Sequence, residues 1–183
     1  MLEEINGIRT PNDVLEFMKK NIRYGWLDSD GLPHVGNLKG FRKLYRTSSV
    51  DEVLYYKIGT CIEQVFLMKH IFDRMGIESH MYCTRIYEGF DFSDDEADEH
   101  MHCFLLYLLN GNVYQIEHPN WERIGIYEFD SVDSAISDIN NYYINMAGGV
   151  ARPVTEFYDV IPNLSFKEFN CYINSLDEKK LIK

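Results

Sequence analysis

The chain has 183 residues, 45% of them hydrophobic and 26% charged, the balance of one folded domain rather than a disordered segment. Its 18 basic against 29 acidic side chains leave a formal net charge of −11, which argues against nucleic acid and anionic membrane surfaces as partners, since both are bound through Lys and Arg. No run approaches the roughly 18 apolar residues that span a bilayer.

Residues 1–13 are acidic and polar, without the basic-then-apolar order of an export signal. The four cysteines form no Cys-x-x-Cys pair, so free thiols in a cytoplasmic protein are expected. Thr10-Pro11-Asn12-Asp13 opens a first helix, with a capping residue, a proline in the first turn and an acid where the dipole favours it. Val14, Phe17, Met18 and Ile22 give that helix an apolar stripe. Residues 25–40, rich in Gly, Asp and Pro, read as a loop carrying Trp26. A short helix follows over 49–56, capped by Ser49 or Asp51.

Gly59-Thr60 then interrupts the chain before 61–75, whose apolar positions recur at helical spacing and which Gly76 stops. Strands are expected over 78–87, 102–109 and 113–118, the last two joined by Asn110-Gly111, the strongest short hairpin signal. Helices over 131–146 and 165–181 each begin at a serine, with Ala147-Gly148-Gly149, Pro153 and Pro162 between them. The pattern is a single α+β domain over 1–183 that ends in C-terminal helices.

Cys61 stands at the start of a helix, where free amides and the dipole favour the thiolate and where the same amides suit an oxyanion. His102 opens an apolar strand. With a two-residue turn at Asn110-Gly111, Leu109 pairs with Asn112, His102 falls opposite Pro119, and Glu117 lies diagonally on the same face. A slip of one residue would present His118 instead. Nucleophile, base and orienting carboxylate are the parts of a thiol acyl-transfer site. Trp26, whose indole N–H only donates, is a candidate oxyanion donor or substrate wall, and Gln64, one turn after Cys61, a weaker one.

Rival readings use other residues. His100 and His102 with Glu117 or His118 have the types of a metal site, but that leaves Cys61 without a role, and neither a metal nor another cofactor is expected. Residues 88–99 hold seven acids in twelve, without the order of a calcium loop. They suit a solvated loop, or a rim that would favour basic substrates. Tyr142, Tyr143, Phe166, Phe169 and Tyr172 suit core packing or a partner surface on a binding module without turnover.

Several of these segments together resemble the transglutaminase-like superfamily. Gly59-Thr60-Cys61-Ile62-Glu63-Gln64, running to Met75-Gly76-Ile77-Glu78-Ser79-His80, is similar to that family's G-x-C helix and the turn that closes it. His102 opening a strand and Glu117 fifteen residues later occupy the family's histidine and acid positions. Residues 14–24, ending in Ile22-Arg23-Tyr24, resemble its first helix, and Asp51-Glu52-Val53-Leu54 the segment before the cysteine.

The resemblance covers residues 11–121 and leaves 122–183 as an extension. It implies a papain-like α+β core with the nucleophile at a helix N-terminus packed on an antiparallel sheet. It also implies a cysteine protease, amidase or transglutaminase acting on a peptide or protein amide, with hydrolysis expected. The chain departs from the family pattern in having Glu117 where Asp is usual, and Cys103-Phe104 where Ala-Trp is common.

Overall fold

The computed structural model describes residues 2–87 and 99–181, a mixed α+β chain with six helices among them. The first helix, α1 (Pro11–Asn21), begins with a reciprocal cap: the Asp13 N–H donates to Thr10 Oγ1 at 3.2 Å and the Thr10 N–H to Asp13 Oδ2 at 2.9 Å. It runs into β1 (Arg23–Asp28), which forms an antiparallel hairpin with β2 (Pro33–Val35). After α2 (Phe41–Leu44) come β3 (Tyr45–Arg46), α3 (Val50–Tyr56) and β4 (Ile58–Gly59). Strand β3 lies antiparallel and β4 parallel to β1, completing a small four-stranded sheet.

The expected loop over 25–40 is therefore largely a hairpin, and Trp26 sits on a strand. Gly25 misleads because it is there for strand contact: a Cβ at this position would lie 2.6 Å from the His34 carbonyl oxygen.

The second sheet carries the longer elements. After α4 (Cys61–Met75) the strands β5 (Ser79–Tyr87), β6 (Glu99–Leu109), β7 (Asn112–Glu117) and β8 (Gly125–Phe129) run antiparallel in succession. Then come α5 (Val132–Ala147), β9 (Val150–Ala151), β10 (Thr155–Phe157) and α6 (Phe166–Leu181). The strand order is β10-β5-β6-β7-β8, with β9 beside the far end of β5. Strand β6 starts at Glu99 rather than at 102. The strands β8, β9 and β10 were not expected, because they are short and lack a clean apolar alternation or lie between prolines.

Asn110 (φ 54°) and Gly111 (φ 86°) both adopt the left-handed region, as a two-residue hairpin turn requires. Leu109 pairs with Asn112, and the register holds to Leu105 opposite Ile116. Alternation then divides the side chains. Met81, Cys83, Cys103, Leu105 and Ile116 join Val65, Met68, Ile71 and Phe72 of α4 in one core, together with Val14 and Met18 of α1 and Phe169 and Ile173 of α6. Tyr82, Ile86, Phe104, Leu106 and Val113 pack with Ala135 and Ile139 of α5 on the opposite face.

The segment before α6 is fastened to the small sheet by Thr47. This buried residue donates its hydroxyl to the Ile161 carbonyl at 2.6 Å and accepts there from the Leu164 N–H at 2.9 Å. No helix among the described residues is long and apolar enough to cross a membrane. The acidic run, apart from the backbone of Glu99, lies outside the described residues, and so does the expected rim for basic substrates.

Candidate active site

Helix α4 owes its fixed start to its own sequence. The Ile62 N–H donates to Thr60 Oγ1 at 3.2 Å, and the Thr60 N–H to Glu63 Oε2 at 2.9 Å. Glu63, 2% exposed, also accepts from the Tyr45 hydroxyl at 2.5 Å and from the Ser48 N–H at 3.3 Å. Its burial raises its pKa above the usual carboxylate value, against the pull of the Thr60 and Tyr45 hydrogen bonds. Cys61 is thus presented at the first helical position, and the parallel pairing of Tyr24 with Gly59 brings β1 alongside.

The structure brings Cys61, His102 and Glu117 together. His102 Nε2 meets Glu117 Oε2 at 3.0 Å, and the imidazole and the Cys61 thiol line the same cleft, each shifting the other's ionisation. Glu117 is held from two further directions, by Gln115 Nε2 on Oε2 and by the Asn120 N–H on Oε1, both at 2.9 Å. Cys103, the next residue along β6, points to the α4 face, in the same core cluster as Cys61.

The electrostatics follow from these contacts. The Cys103 hydrogen bond, opposed by burial and reinforced by the hydrogen bond and charge of His102, holds Cys61 well below the ordinary thiol range. Burial pulls His102 down, but the Glu117 charge and the hydrogen bonds to Cys61 and Glu117 outweigh it and push it up to about 10. Burial and its bonds to Cys61 and Cys83 drive Cys103 the other way, well above the thiol range. At neutral pH the arrangement favours a thiolate at Cys61, an imidazolium at His102 and a neutral thiol at Cys103.

The other candidates fall elsewhere. Trp26 is 2% exposed and gives its Nε1–H to the Asn37 carbonyl at 2.8 Å while stacking on His34 with ring centroids 4.1 Å apart. It packs the core and does not line the cleft. Gln64 is also buried. It donates to the Gly59 carbonyl at 2.7 Å and accepts from His118 Nδ1 at 2.6 Å, so neither Gln64 nor His118 faces the His102 ring. Burial lowers the His118 pKa. Among the described residues no group of three His, Cys, Asp or Glu gathers as a metal site would need, and His100 and His102 do not form one with Glu117.

Two residues were missed. Tyr24, read only as the end of a helix signature, lines the cleft with Cys61, its phenol oxygen near the Cys61 backbone N–H. Tyr24 is 44% exposed, yet protein atoms around its phenol desolvate it, and that, ahead of the charges of Cys61 and Glu63, raises its pKa. Tyr143, expected in the core or at a partner surface, stacks on the His102 imidazole at 4.4 Å and 27°. Nothing in the sequence marks that pair, since 41 positions separate the residues and they belong to different elements. Of the other aromatic residues in that group, Phe169 is buried in the core, and Phe166 joins Phe41 in the wall of the cleft.

That cleft, about 580 Å³, opens onto Cys61 and His102 and is walled by Tyr24, Phe41, Asn120, Tyr143, Met146 and Phe166 among others. Its size suits a small-molecule or peptide segment.

Comparison with known proteins adds little. No family model matches the chain and no curated relative matches it, so the transglutaminase-like reading stays a resemblance. Among solved structures, an arylamine N-acetyltransferase from Bacillus cereus, described as having a Cys-His-Glu catalytic triad, matches at 15% identity with a TM-score of 0.38. The match covers 61% of this chain and 42% of that one, so the chain spans less than half the length of that enzyme.

Proposed function

We propose that the chain is a cysteine enzyme that transfers an acyl group from an amide, of peptide or glutamine type, to water. The observation that carries this reading is His102, held at 3.0 Å by the buried Glu117 and lining one open cleft with Cys61. In the proposed reaction the Cys61 thiolate attacks the carbonyl carbon. The oxyanion forms beside the Cys61 N–H and the Tyr24 hydroxyl. The imidazolium gives its proton to the leaving nitrogen, and the amine departs as the C–N bond breaks. Neutral His102 then takes a proton from water as the hydroxide oxygen attacks the thioester, releasing the acid and the Cys61 thiolate.

A positioned histidine is worth about 10²–10⁴-fold, and each oxyanion donor about 10²–10³-fold. Water is the acceptor of choice because it is abundant.

The rate of Cys61 alkylation by iodoacetamide, followed against pH in the wild type and in His102→Ala, tests the reading. An apparent pKa below about 8.5 that rises in the variant supports it, and release of amine from peptide or glutamine amides, abolished in Cys61→Ala, completes it. Superimposable profiles of an ordinary thiol would reduce the chain to a fold without the chemistry.

A further inference from the structure

We propose that Tyr143, from the extension beyond residue 121, is a positioning residue for His102; this rests on the reading of His102 as the base. Four groups close a circuit. The Tyr143 ring covers one face of the imidazole, 4.4 Å between centroids and 27° from parallel. Its hydroxyl accepts from Asn120 Nδ2 at 3.0 Å. The backbone N–H of the same Asn120 holds Glu117 Oε1 at 2.9 Å, and Glu117 Oε2 returns to His102 Nε2 at 3.0 Å. One asparagine thus fixes the acid with its main chain and the tyrosine with its side chain.

The circuit has two physical consequences. A ring flat against the imidazole leaves it little room to turn about its Cβ–Cγ bond, so Nε2 stays on Glu117. It also keeps water from the Nε2–Oε2 bond, and hydrogen bonds in a drier setting are electrostatically stronger. The electron-rich face of the phenol further favours imidazolium over imidazole.

Anchoring α5 does not need this residue. Ala135 and Ile139 are already buried against Phe104 and Leu106 earlier in the helix. The neighbouring Tyr142 gives its hydroxyl to Glu122 at 3.1 Å and accepts from Asn120 Nδ2 only at 3.5 Å, against 3.0 Å for Tyr143. Tyr143, 5% exposed, is the tyrosine whose ring lies on the histidine.

The full chain is compared as wild type, Tyr143→Leu, Tyr143→Phe and His102→Ala, reading the pH profile of Cys61 alkylation by iodoacetamide. Tyr143→Leu keeps apolar bulk and loses the aromatic face. It is expected to raise the apparent thiol pKa by about one unit, a tenfold loss of thiolate on the acid side. Tyr143→Phe keeps the ring over the imidazole and loses only the bond from Asn120 Nδ2, so its profile is expected to lie between those of the wild type and of Tyr143→Leu.

If Tyr143→Leu fails to fold, judged by thermal melting, Tyr143→Met carries the same expectation. A profile that moves in His102→Ala but not in the leucine or methionine variant overturns the role of Tyr143 alone. A profile unmoved in His102→Ala overturns the dyad and this inference with it.

Discussion

Two carboxylates are buried on either side of Cys61, Glu117 at 1% exposure and Glu63 at 2%, and they do opposite work. Glu63 meets neutral donors, two hydroxyls and two backbone amides, and its burial makes ionisation harder. Its role is to tie the first turn of α4 to Ser48 and Tyr45, so that the thiol has a fixed address. Glu117 meets an imidazole, and its charge helps hold His102 up to about 10 despite burial. Burial alone therefore says little about what an acid does. The chemistry of its partner decides whether it builds the site or takes part in it.

The comparison can be broken by removing each partner. Replacing His102 by Ala is expected to have the largest effect, a loss of about 10²–10⁴-fold in kcat/KM for amide turnover, with the Cys61 alkylation profile moved to higher pH. Glu117→Gln is expected to lower turnover as well and to shift the alkaline limb of the turnover profile down from near pH 10, because the imidazolium loses its counter-charge.

Linkage gives the sign for stability. His102 is raised above its ordinary 6.5, so the stabilisation it contributes is complete below that value and is lost as pH climbs through about 10. Urea midpoints of the wild type and of Glu117→Gln should converge over that window.

Glu63→Gln should act mainly on stability, lowering it by about 1–3 kcal/mol, since its amide group must face donors that expect an acceptor. The sign at this site comes from burial raising Glu63 above 4.5: its contribution is present below 4.5 and fades as pH rises through its folded value. Over that range the wild type should lose stability and the glutamine variant should not, as thermal melts at stepped pH would show. The smallest effect is expected from Gly111→Ala, roughly 1 kcal/mol for a side chain at φ 86°. If that change also displaced the Cys61 profile, the hairpin would be coupled to the charge balance rather than only setting its register.

What was legible in the sequence was what local chemistry fixes. Thr10 and Ser131 each cap a helix through backbone amides a few positions away, and those patterns read directly; Ser49 rather than Asp51 caps α3, and Thr60, read only as part of a break, caps α4. One dipeptide, Asn110-Gly111, was enough to set the register that puts Glu117 on the face of His102, because side-chain alternation carries a turn decision along the whole strand.

The rest depended on partners distant in sequence. Gly25 looks like a loop residue until His34 is laid against it, and Trp26 looks like a free donor until the Asn37 carbonyl takes its proton. Tyr24 reaches Cys61 through a two-residue parallel pairing too short to leave a pattern. Tyr143 reaches His102 from a helix on the opposite side of the sheet from α4.

The stitch at Thr47 also sets an order of events. Its hydroxyl waits for Ile161 and Leu164, 114 and 117 positions later. During synthesis at roughly 5–20 residues per second, residues 61–117 emerge well before that stretch does. Contacts of such separation also form slowly, because a long loop must close before they contribute. Phe166, two residues beyond Leu164, is a wall of the cleft. In each new chain, Cys61 and His102 are therefore synthesised before the segment that supplies this wall of their cleft.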